Sequence, residues 1–149
     1  MSTPPIDDRD AMLRRGDELW ERLRAALDSS IDRPLGPASD WTGHDVYAHF
    51  ARWQAHAAGD VRRLIAGERP VPVPGDENVI NEGWAAEDRA LPLDVVRERC
   101  LDTRRELRAV LEGLTAEQWE RFGRRCSLDI SGQHYEHHLA AIAAKGTSP

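Results

Sequence analysis

The chain has 149 residues, which suits one domain with one hydrophobic core, and 40% of them are hydrophobic. No apolar run approaches the ~20 residues that span a bilayer, so a membrane-embedded protein is excluded. The formal net charge of −6 lacks the basic footprint of a non-specific nucleic-acid binder.

Residues 1–8 contain neither a basic region nor an apolar core, so they read as a flexible lead-in and not as a secretory signal. Residues 146–149 are expected to be flexible too. Cys100 and Cys126 show no metal or redox spacing, which points to free thiols in a cytoplasmic protein. Lys145 is the only lysine among many arginines, a composition typical of a GC-rich bacterial genome.

The first helix is expected over 10–29, with Met12, Leu13, Leu19, Trp20, Leu23, Ala26 and Leu27 at helical spacing. Two prolines and a glycine make 31–40 a connector. The second helix starts at Thr42, an N-cap with Asp45 in capping-box position, and ends near Ala66 and Gly67. Val46, Phe50, Trp53, Ala57, Val61 and Leu64 form its apolar stripe, and His49 and His56 lie on one flank of it. Alternating prolines make 69–75 an extended crossover. A short extra helix is expected over 76–88, and the third long helix over 92–112 with Pro92 in its first turn. That helix carries Leu93, Val96, Cys100, Leu107, Val110 and Leu111 on one face. A capped turn at 115–119 and an irregular stretch over 123–132 lead to the last helix, about 131–145. No strand alternation and no repeat stand out, so the fold class is all-α: a single four-helix bundle over 1–149 with a long proline-containing crossover.

The chemistry concentrates in the last helix. His134 and His138 are four apart, so their rings share one helix face and can grip one metal ion. Two ligands are too few for a firm site. His49, on the inner edge of another helix, is the best third candidate. Three convergent imidazoles are what a catalytic zinc site uses, and nickel or iron accept the same donors. The bland alternatives are two surface histidines near a terminus and one packed histidine. His44, His56 and His137 are set aside: His44 belongs to a first turn, His56 lies about 10 Å beyond His49, and His137 is rotated about 100° from His138. Trp53 and Trp84 wall a pocket or belong to the core. Asn81 and Glu82 follow the crossover, where they can cap the site. Tyr135 marks the last helix as core-facing and is a candidate for orienting polar groups of a substrate. Cys126 reads first as an inert loop cysteine; the alternative is a reactive thiol, since it follows Arg124 and Arg125, whose charge can lower a thiol pKa.

Three segments together resemble the DinB-like superfamily, most closely its ClbS/DfsB branch. They are Trp41-x3-Asp45-x3-His49-x3-Trp53, the pair Asn81-Glu82, and His134-Tyr135-x2-His138-Leu139-x2-Ile142. The resemblance implies a four-helix bundle whose His49, His134 and His138 hold a divalent metal, zinc first, with nickel or iron as alternatives. Relatives such as the N-terminal domain of mycothiol-dependent maleylpyruvate isomerase and the bacillithiol transferases use such a site with low-molecular-weight thiols. The implied function is a metal-dependent transferase or hydrolase acting on a reactive small molecule, with mycothiol or bacillithiol as the thiol. The alternative is a metal-free binding and self-protection protein of ClbS/DfsB type. Related bundles pair through helix faces, so a homodimer is an expectation as well. The segment before His134 looks shorter than in the family, which would open the pocket or displace His134.

Overall fold

Four long amphipathic stretches become α1 (Pro5–Ser29), α2 (Gly43–Ile65), α4 (Leu93–Glu112) and α7 (Gln133–Gly146), with the short α3 (Glu77–Asp88) after the crossover. The computed structural model describes residues 5–35 and 40–146, and side chains over 7–35 and 40–142. Among the described residues there is no strand, and no helix is long and apolar enough to cross a membrane.

The flexibility expected at 1–4 and 147–149 lies outside the described residues, as does part of the connector. At residues 5–8 the structure differs from the expectation, because α1 already runs there. Asp7 and Asp8 sit in its first turn, where carboxylates complement the positive end of the helix dipole. Asp8 is also held from afar: it accepts from Trp119 Nε1 at 3.2 Å and pairs with Arg124 at 2.7 Å. Gly146 is likewise still helical.

Local chemistry explains the start of α2. The Thr42 hydroxyl accepts from the Asp45 amide, and the Asp45 carboxylate accepts from the Thr42 amide, forming a complete capping box. The helix ends where Gly67 takes φ +80°, a left-handed conformation that glycine adopts without strain. Its core stripe is Val46, Tyr47, Phe50, Ala57, Ala58 and Val61, and it packs chiefly on α4 through Val96, Cys100, Leu107 and Leu111. From α1, Leu13, Leu19, Trp20, Leu23 and Leu27 close the same core.

Residues 115–132 are more ordered than the sequence suggests. Thr115 and Gln118 cap a short α5 (Ala116–Gln118), which widens into a π-helical turn at Trp119–Gly123 and then α6 (Arg124–Cys126). The turns carry Trp119, Phe122 and Ile130 into the core, and this burial holds the segment down. Gly16 of α1 explains the close fit. A Cβ there would lie 1.8 Å from the Ile130 carbonyl oxygen, so only glycine lets the helix and the turn meet.

Candidate metal centre

The capping box sets the register of α2 and thereby puts His49 on its inner face, buried beside Phe50. His134 and His138 stand one turn apart near the start of α7, both half-buried. Their rings point across the bundle to His49. His49 Nε2 lies 3.2 Å from His134 Nε2, and His138 Nε2 lies 3.2 Å from the same nitrogen. All three candidate ligand atoms fall within 4.8 Å of one another.

The surroundings keep His49 and His138 as neutral bases. Burial, then the neighbouring His134 and His138, push the His49 pKa well below its usual 6.5. Burial, then His134 and His137, bring His138 down to about 3. A neutral imidazole offers a lone pair, which is the form a metal binds. His134 uses its other nitrogen, Nδ1, to meet Asp129 Oδ1 at 3.1 Å. Phe50 packs against His134 and His138 with ring centroids at 4.5 and 5.2 Å, and Trp41 packs against His49 at 5.1 Å.

The other residues singled out in the sequence fall as follows. Trp53 donates from Nε1 to Asn81 Oδ1 at 2.7 Å, and its ring packs on Trp84 at 4.9 Å. Glu82 is exposed and accepts from Trp41 Nε1 at 3.2 Å. So α3 is hooked onto the two tryptophans that flank His49 in sequence. Arg52 lies over the Trp84 ring at 5.3 Å. Tyr135 is fully buried with its ring against Trp20 and Phe50, and its hydroxyl accepts from Arg104 Nε at 3.0 Å. His44 donates from Nε2 to the Leu91 carbonyl at 2.7 Å, and His56 meets Asp60 at 3.2 Å. His137 is exposed, edge-on to His138.

Burial outweighs the arginines at Cys126. Desolvation raises its pKa above the usual value, and Arg125 offsets only part of that. This environment supports the inert cysteine over activation by Arg124 and Arg125. Cys100 is pushed up to about 12 by burial.

Sequence reasoning missed three neighbours of the histidines. Phe50 read as plain core stripe. Trp41 showed only as part of a motif. Asp129, five residues before His134 and outside the helix, follows no periodic spacing that would mark it. Trp41 also lines an open cleft of about 680 Å³, together with Asp32, Asp40, Glu82 and Arg89 among others.

A family model described as the mycothiol maleylpyruvate isomerase N-terminal domain matches residues 13–127. That span includes His49 but stops short of His134 and His138, so the full triad rests on the geometry above. No curated protein and no solved structure gives a significant match.

Proposed function

The chain belongs to the mycothiol maleylpyruvate isomerase N-terminal domain family, a DinB-like group, and from that premise we propose that it is a metal-dependent transferase or hydrolase. It acts on a reactive small molecule, with a low-molecular-weight thiol such as mycothiol as co-substrate. The observation that carries this reading is the convergence of three imidazole nitrogens from α2 and α7.

The donor set fits a divalent ion. Zn–N bonds of about 2.0–2.1 Å at tetrahedral angles separate neighbouring nitrogens by about 3.3 Å, against the 3.2 Å found for two of the pairs here. Zinc is the first choice, with nickel or iron next. Bound there, the metal supplies Lewis acidity, which lowers the pKa of a thiol or water towards neutrality and makes it a nucleophile. The protein's own residues do the rest. His49, His134 and His138 hold the ion and leave room for further ligands. Phe50 and Trp41 cover the rings and limit access of bulk water. The cleft beside Trp41 receives the substrate, and its carboxylates, Asp32, Asp40 and Glu82, favour a neutral or cationic electrophile over an anionic one.

A second reading, stoichiometric capture of a reactive small molecule without turnover, is favoured by that same cleft, whose volume lies in the range of ligand pockets. Elemental mass spectrometry separates the two. About one metal ion per chain, lost in a His49→Ala/His138→Ala double variant, supports the metal enzyme. No metal in either protein and no uptake on titration sinks it and leaves the capture reading.

A further inference from the structure

We infer that Asp129 is the positioning carboxylate of this site, holding the His134 ring with its proton on Nδ1 and its bare Nε2 aimed at His49 and His138. The inference rests on the metal reading above and names a residue that reading does not require.

An ionised carboxylate can only accept a hydrogen bond. The 3.1 Å contact from Asp129 Oδ1 to His134 Nδ1 therefore places the ring proton on Nδ1. Nε2, on the other side of the ring, then keeps its lone pair, and it is the nitrogen that both His49 and His138 approach at 3.2 Å. Metal-bound histidines commonly have such a partner, which orients the ring and strengthens the ligand.

Asp129 does not sit on a free loop. Ser127, Ile130 and Ser131 on either side of it are buried. The Ile130 amide donates to the Ser127 carbonyl at 2.9 Å, and the Ser127 hydroxyl donates to the Arg124 carbonyl at 2.7 Å. The close approach at Gly16 clamps this turn against α1. Both partners are themselves mostly shielded, with side-chain exposures of 23% for His134 and 27% for Asp129. The turn before α7 thus delivers a carboxylate to the outer nitrogen of the His134 ring.

The test compares full-length wild type, Asp129→Ala and Asp129→Asn by zinc titration against a chromophoric chelator. Nitrogen-15 NMR of the histidine rings of the metal-free proteins, in buffer above the ordinary histidine pKa, reads the tautomer. Asp129→Ala is expected to weaken zinc binding by about 10- to 100-fold and to lose the Nδ1–H form of His134. Asp129→Asn, whose amide oxygen still accepts, retains more of both. An unchanged His134 tautomer in Asp129→Ala overturns the inference whatever the affinity, because a merely structural role would leave the tautomer alone. Zinc affinity equal to wild type in Asp129→Ala overturns it as well. If wild type itself takes up no zinc, the proposed function fails, and the tautomer by itself decides the role of Asp129.

Discussion

Gln54 has no exposed surface, yet both ends of its amide are used. Its nitrogen donates to the Cys100 carbonyl at 2.9 Å and to the Thr103 hydroxyl at 3.0 Å, and its oxygen meets the Tyr135 hydroxyl at 3.5 Å. Tyr135 in turn accepts from Arg104, which pairs with Asp17 at 2.7 Å. A polar thread therefore crosses the core from α1 through α4 and α7 to α2. Gln54→Leu removes the α2 end of it and takes away the acceptor of the buried Tyr135 O–H. A loss of about 1–3 kcal/mol is expected in urea unfolding, and a loss under about 0.5 kcal/mol, the level of an ordinary surface change, would show the thread to be dispensable. The cysteines make a second prediction at this scale. Burial holds both thiols above their ordinary pKa, so both should react with a thiol-specific reagent far more slowly in the native protein than in denaturant, Cys100 most of all. Rapid native labelling of Cys126 would contradict its environment here. The role of Gln54 was not readable in advance, because the depth of burial is not a local property. For Cys126, burial supports the inert reading over activation by its arginine neighbours.

Between elements, Tyr47 is the clearest joint. It sits on α2, donates to Asp28 of α1 at 2.7 Å, and lies under Arg97 of α4 at 5.4 Å. Burial, then the Asp28 carboxylate, push its pKa up to about 12. An unfolded tyrosine ionises near 10, so above that pH the unfolded chain releases a proton that the folded one keeps. The stabilisation is therefore complete below pH 10 and is lost as pH rises through about 12. Tyr135 is shifted in the same direction. Stability measured by denaturant titration should fall across this alkaline window, and Tyr47→Phe should make the fall shallower without abolishing it. An equal slope in the variant would remove Tyr47 from the account. The boundaries of α2 and α4, by contrast, were legible in the sequence to within a residue or so. The Thr42 cap, the proline before α4 and the spacing of apolar side chains act within a few residues of one another. The π-helical turn at Trp119–Gly123 was not legible, because the deep burial of Trp119 and Phe122 against the bundle is what holds it.

For the molecule as a whole, metal binding and folding should be linked. The three candidate ligands come from two helices that meet only in the folded bundle. An ion that binds the native state alone stabilises it by about 2.7 kcal/mol when present at one hundred times its dissociation constant. Zinc should therefore raise the melting temperature of the wild type, a chelator should reverse the rise, and the His49→Ala/His138→Ala variant should show neither. A wild-type melting curve indifferent to zinc, nickel and iron would count against the site.

From the sequence by itself follow the helical class, the register of each long helix and the pairing of His134 with His138, because all of these depend on spacings within one turn or one helix. The nearness of His49 to His134, 85 positions apart, could only be suggested by residue type and resemblance. Tertiary packing decided it: α1, α2 and α7 share a core centred on Trp20, Phe50 and Tyr135, and that packing turns the inner edges of α2 and α7 toward each other. The same packing supplied Phe50 and Trp41 as neighbours of the rings and laid Asp129 against His134. Contacts of this kind depend on where a buried turn comes to rest, and no local periodicity in the chain encodes that.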